Sequence, residues 1–384
     1  MKRLYIILFS IIFLQACSKV DDYMLGKDNT PQPKELKPVK AQIKVSKNWS
    51  VASGKPSKIK DYLKLKPLIL GNIIYTAQAP GTLQAINKAD GAKLWATQLK
   101  EGIVSGPTAG SGYLAVGTNA ASVVVLSQKD GKIIWDNKVS GDILSPPAIT
   151  QNKVIAKTID GKVYAFDIAQ GKSLWVADHG APSLVLKASS SPVILGNLVL
   201  IGYSDGKLDA LDIDNGQLMW QRSIAYASGG SDVERLVDID ADPIVKDNTA
   251  YIASYQGYIG ALSLADGQFL WRKPGSVYKN MILDGDTLYF ADSRDVLWSL
   301  NRKNGQVHWK QNAFKARGLT EPILVNNQLV VADKTGYLHV ISKQSGEVLA
   351  RTQLSAGVDI APSAHGKKIY VLTNNGLLNQ LSVG

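Results

Sequence analysis

Few of the 384 residues have the type and spacing that catalysis needs. Ser57-x-x-Lys60 and Ser276-x-x-Lys279 match the string that sets a serine nucleophile near a lysine base. In a chain this rich in Ser and Lys such strings arise by chance. Gly110-x-Gly112-x-x-Ala115 imitates a dinucleotide-binding loop, yet it lies in a strand-turn-strand pattern and opens no helix whose N-terminus could hold a phosphate. His179, His308, His339 and His365 occur singly, without a partner Cys or the HExxH spacing that aligns two metal ligands on one helix face. His308 and His339 fall on strands and read as packed or surface imidazoles. One Cys excludes an intrachain disulfide and every two-thiol metal or redox site. No catalytic residue, no metal and no cofactor is therefore expected.

Cys17 has a chemistry of its own. Lys2 and Arg3 precede an apolar run from Leu4 to Leu14, about half of the ~20 residues a membrane-spanning helix needs, so this is a signal-peptide core. It ends Leu14-Gln15-Ala16-Cys17, which resembles a bacterial lipobox, where cleavage frees the Cys and its thiol receives diacylglycerol. Several acyl chains would anchor the chain without a membrane span. The expected organisation is a lipoprotein signal peptide over 1–16, a lipidated flexible tether over 17–45 and one domain over 46–384. The formal charge of +11 bears this out: residues 19–66 hold 12 Lys against five acidic residues, whereas residues 67–384 hold 29 basic against 27 acidic. The domain is nearly neutral, so the excess charge does not indicate a nucleic-acid partner.

The domain is one unit written repeatedly. A turn followed by Trp recurs as Asp90-Gly91 with Trp95, Asp130-Gly131 with Trp135, Gln170-Gly171 with Trp175 and Asn215-Gly216 with Trp220. It continues as Asp266-Gly267 with Trp271 and Asn304-Gly305 with Trp309, then ends as Ser345-Gly346 with Ala350 in place of Trp. Successive Trp residues lie 40, 40, 45, 51 and 38 apart, and each period holds four short strands, the size of a β-propeller blade. The Asp-Gly and Asn-Gly pairs predict type I′ hairpin turns. A last repeat, Ile360 to Val383, stops after three strands, while Lys47 to Val51 carries a Trp with no blade before it. Together they predict an all-β, eight-bladed propeller of four-stranded antiparallel blades, its ring closed by the N-terminal strand. The regular Trp residues read as packing between blades.

The 45- and 51-residue intervals add about five and eleven residues after the fourth strands of two consecutive blades, near 178–190 and 222–241. Loops leaving fourth strands emerge on one face, so these two should be neighbours. One offers Leu184 and Leu186 with Lys187, the other Arg235 with Asp238, Asp240 and Asp242. Apolar anchors beside opposed charges suit a protein interface, the Leu pair supplying desolvated area and the charges orientation.

These repeats resemble the Trp-motif propeller of pyrroloquinoline quinone (PQQ) dehydrogenases over the whole of 49–384. Those enzymes are much longer, use adjacent cysteines beside the quinone and hold Ca²⁺ with acidic and amide residues, none of which can be matched here. A lipoprotein with such a propeller is more similar to the BamB family of outer-membrane protein assembly factors. Leu184-Val185-Leu186-Lys187 answers that family's Leu-x-Leu-Arg loop, with Lys in place of Arg, and Arg235-Leu236-Val237-Asp238-Ile239-Asp240-Ala241-Asp242-Pro243 answers its Arg-Leu-x-Asp-Val-Asp-x-x-Pro loop. The resemblance implies a non-enzymatic scaffold of the BAM complex on the periplasmic face of the outer membrane, sorted there because Ser18 rather than Asp follows the Cys. It implies that both loops bind the POTRA domains of BamA. The rival readings are a PQQ-dependent periplasmic enzyme and a direct chaperone whose strand edges pair with unfolded outer-membrane proteins.

Overall fold

The computed structural model describes residues 31–55, 63–182, 184–186, 189–226, 230–231 and 235–384. Cys17, the signal peptide and Lys187 lie outside them. Strands alone, with no helix, make up the regular structure of the described residues, as eight four-stranded antiparallel sheets. In sequence order the first seven blades span 68–98, 103–138, 148–178, 193–223, 244–275, 282–311 and 323–353. Middle strands such as Ile73–Ala77 and Thr82–Asn87 are buried on both sides, which is why they read as continuous apolar runs. The outermost strands alternate between exposed and covered residues, as Lys93–Gln98 does.

Blade 8 joins the two ends of the domain. Val45–Ala52 pairs antiparallel with Leu377–Val383, placing Trp49 opposite Gln380, as the unmatched Trp strand predicts. The indole Nε1 of Trp49 donates to Ala89 O of blade 1 at 3.1 Å. Trp95, Trp135, Trp175, Trp271 and Trp309 each make the same bond to a backbone carbonyl just before the following blade's turn, at 2.7 to 3.1 Å. Each ring also lies against that turn's glycine: a Cβ on Gly131 would stand 2.4 Å from the Trp95 ring.

The turns differ from the type I′ expectation. In the first, only Gly91 has positive φ (78°), whereas type I′ needs two such residues. Gly91 N donates to Asn87 O, and the register shifts between Ala85 and Ile86. This is a longer turn closed by a glycine and a bulge, a geometry that places the glycine flat beneath the neighbouring indole.

Blade 7 explains its own missing Trp. The fourth strand of blade 8 comes from the N-terminus, so blade 8 has no third-to-fourth turn for a Trp to press upon. Ile43 and Val45 pack instead on the cluster that contains the buried Ala350. The described part of the tether is held ahead of them. Lys34 N donates to Lys315 O (2.9 Å), Gln42 N donates to Leu349 O (2.8 Å), and Leu36 packs on the blade 6–7 core. Arg317 and Arg351 donate to Lys34 O and Lys37 O, each at 3.0 Å. Residues from Lys34 onward are thus attached to the blades, and residues 34–384 form one unit.

Candidate functional site

The two long connections leave the fourth strands of blades 3 and 4, Ser173–Asp178 and Leu218–Ser223, and cross the same face to reach the first strands of blades 4 and 5. A chain crossing that face must satisfy its backbone polar groups beneath whatever covers it. The second loop does so by threading between two turns: Ile239 N donates to Tyr203 O (3.1 Å) and Tyr255 N donates to Asp238 O (2.8 Å). Leu236 to Ala241 are buried throughout.

The first loop is laid over the second and pinned by its carboxylates. Leu186 N donates to Asp238 Oδ2 at 2.6 Å, and Ser191 N donates to Asp242 Oδ1, also at 2.6 Å. The loops are neighbours, as their spacing predicts. The charges are placed differently: Asp238 and Asp240 are 0% and 1% exposed, so neither carboxylate lies on the surface beside the Leu pair. Leu184 is 41% exposed, Val185 and Leu186 are half-buried, Arg235 is exposed, and Tyr226 adds a ring that is 67% exposed.

Burial governs the electrostatics beneath. It pushes the Asp238 carboxyl up to about 6, against the pull of the Leu186 N–H and of Lys157. Asp240 is raised by burial and then by Asp238, while burial lowers Lys157, whose Nζ donates to Gly202 O. Two groups that sequence reasoning missed complete the clasp. His179, at the root of the first loop, stacks on Tyr203 at 3.7 Å and bonds Asp209 Oδ2 (2.8 Å) and Asp205 Oδ2 (3.1 Å). Burial opposes its charge, but the two carboxylates outweigh it and raise its pKa to about 9.

Lys64 is the second. It enters from the connection between blades 8 and 1 and reaches across the central opening to blade 5, where its Nζ meets Asp242 Oδ1 (2.6 Å) and Asp240 O (2.8 Å). Asn280 of the next connection closes the group, exchanging bonds of 2.8 and 2.9 Å with Asp242. No sequence signal links residues 178 positions apart. Lys64→Met is expected to lower unfolding free energy by about 3 kcal/mol, the cost of leaving a partly buried carboxylate without its cation. It should also speed amide exchange at 184–191 by at least tenfold. Unchanged exchange there would show that the clasp does not depend on Lys64.

The profile of the family described as outer membrane protein assembly factor BamB matches residues 79–311. The outer membrane protein assembly factor BamB of Legionella pneumophila (strain Paris) is 63% identical over 383 residues, covering the whole of both chains. The chain belongs to the BamB family. Among solved structures, BamB from Moraxella catarrhalis superposes with a TM-score of 0.80 at 22% identity, covering 88% of this chain and 99% of that one. A europium-containing methanol dehydrogenase gives 0.72 at 12% identity, covering 88% and 93%. Both likenesses speak for the propeller alone.

Proposed function

We propose that this chain is a non-enzymatic scaffold lipoprotein of the BAM complex, held on the periplasmic face of the outer membrane by acylated Cys17, and that its two long loops bind the POTRA domains of BamA. The observation that carries the binding reading is the clasp. Leu186 and Ser191 of the first loop are bonded to Asp238 and Asp242 of the second, beside an exposed Leu184. In this reading Leu184 and Leu186 supply the desolvated area, and Arg235 and Lys187 supply orienting charge. Asp238 and Asp240 act from beneath, by holding the loops in register.

The central opening supports a scaffold rather than a quinone enzyme. The acid and amide at its mouth, Asp242 and Asn280, are engaged by Lys64 and by each other, and Glu321 pairs with Lys66 at 3.0 Å. A quinone with Ca²⁺ would need those oxygens, so the residues do not fit it.

Capture on immobilised POTRA domains tests the proposal. Leu184→Ala with Leu186→Ala should abolish capture, whereas charge reversals near Lys138 to Asp142 in the shorter neighbouring loop should leave it intact. Wild-type capture by the folded Leu variant would overturn the placement. The anchor is tested separately: Cys17→Ala should yield an uncleaved or soluble product without palmitate label, and retained label would refute lipidation at Cys17.

A further inference from the structure

At most seams between blades, the residue four places beyond the Trp of the fourth strand, or beyond Ala350 in blade 7, fills the gap. Leu99, Val139, Ile224, Ala313 and Leu354 each pack there. Blade 5 has Gly275 at that place, and the seam between blades 5 and 6 opens into a cavity of about 490 Å³.

The walls of this cavity are built for a particular ligand. Its floor is a Trp outside the repeat: Trp298 lies one position from Ser299, the residue opposite the in-register Trp309, and so faces blade 5 rather than blade 7. Trp298 stacks on Phe290 at 6.0 Å and 14°, with its Nε1 donating to Asp292 Oδ2 at 3.1 Å. Lys310 Nζ sits 3.9 Å from the ring centre. Lys273 lines the opening with no carboxylate within 4 Å among the described residues, where Thr97, Asn137 and Gln311 at the same place seal their seams by bonding the next turn. Arg294 stands at the rim, its side chain 77% exposed and its Nη2 3.6 Å from Asp292 Oδ2, so it is already paired. The one acid, Asp292, already accepts from Arg294 N, Val296 N and Trp298 Nε1, so it is not available to a ligand cation.

Two lysines without a carboxylate partner among the described residues, Lys273 at the opening and Lys310 over the Trp298 ring, beside a mainly apolar and aromatic cleft complement a large apolar side chain flanked by carboxylates. We propose that the blade 5–6 cleft is a second binding site, distinct from the clasped loops, that takes an aromatic side chain from an acidic, extended peptide segment. The ring enters the cleft beside Gly275 and Ile259, against Trp298, and the flanking carboxylates meet Lys273 and Lys310. The site stands whichever protein occupies the clasped loops.

The probe is a blocked decapeptide with one Phe between two pairs of Glu, titrated into the full chain by calorimetry. Companion peptides carry Ala for Phe or Lys for Glu. The Glu-Phe peptide should bind, weaken with salt, and lose at least tenfold in affinity when Phe or the Glu residues are replaced. Gly275→Leu should reduce binding at least tenfold by filling the cleft. Gly275 does not have the positive φ that would strain a side chain, and its new Cβ would meet only the far end of Ile259. Lys273→Glu with Lys310→Glu should do the same without adding bulk, and Leu184→Ala should leave this binding unchanged. Equal affinity of the Lys-flanked peptide, unchanged binding by both cleft variants, or no binding by the wild-type chain would overturn the proposal.

Discussion

Asp238→Ala lowers affinity for the POTRA domains by ten- to a hundredfold, whereas Asp238→Asn keeps it within about threefold; these are the expected results if this carboxylate positions rather than touches the partner. The bond from Leu186 N to Asp238 Oδ2 is what the side chain supplies to the loop, and an Asn Oδ1 can accept it equally well. Removing the acceptor leaves a covered N–H unpaired, at about 1–3 kcal/mol, or one to two decades in affinity if the loop is released. A contact role predicts the opposite pattern, since neutralising a charge that meets a partner's cation would cost as much in Asn as in Ala. Surface plasmon resonance on the two variants separates these, and equal losses would sink the positioning role.

The same pair makes a pH prediction. Burial raises the folded Asp238 pKa to about 6, above its ordinary value, so the folded state binds the extra proton. Stability from this group is then full below the ordinary carboxylate pKa and is lost as pH rises through about 6. A shift of this size is worth on the order of 3 kcal/mol. Asp238→Asn should consequently melt above the wild-type chain at pH 7.5, with the gap closing as pH falls toward 4.

What the sequence shows of this molecule follows from what repeats. Trp49 and the three-strand last repeat disclose the ring closure because each is a piece of a period lacking its complement. The loop adjacency follows from two interval lengths and the rule that like connections share a face. Burial of Asp238 and Asp240 is not legible in the same way. An Asp-x-Asp-x-Asp string looks like a solvated acidic run, and only the overlying first loop turns it inward. Lys64 and His179 are missed for a related reason, since their partners are brought to them by ring geometry over spans that no local pattern marks. Ala350 is legible as a departure but not as a cause, until the absent turn in blade 8 is seen.

That absent turn yields the last expected result. A chain starting at residue 31 should melt with the full chain, one starting at residue 45 should melt roughly 5–10 °C lower, and one starting at residue 53 should lose its cooperative transition. Residues 34–44 contribute two guanidinium-to-carbonyl bonds, two backbone bonds and the partial burial of Leu36 and Ile43 against the blade 6–7 and blade 7–8 cores. The two arginines are braced for the task. Arg317 Nε is 2.7 Å from Asp333 Oδ2, and Arg351 Nε donates to His339 Nδ1 (3.2 Å), whose Nε2 meets the same Asp333 oxygen at 3.0 Å. Burial holds the His339 pKa down, which keeps the imidazole neutral and lets one nitrogen accept while the other donates. Cutting to residue 53 removes Trp49 and the fourth strand of blade 8, exposing Tyr370, Leu378 and Leu381 and opening the ring. Ala350→Trp should not rescue the chain that starts at 45, because blade 8 offers no turn glycine for the indole to cover. Differential scanning calorimetry decides the matter: identical transitions for the chains starting at 31 and 45 would mean that the strap adds nothing to the seam.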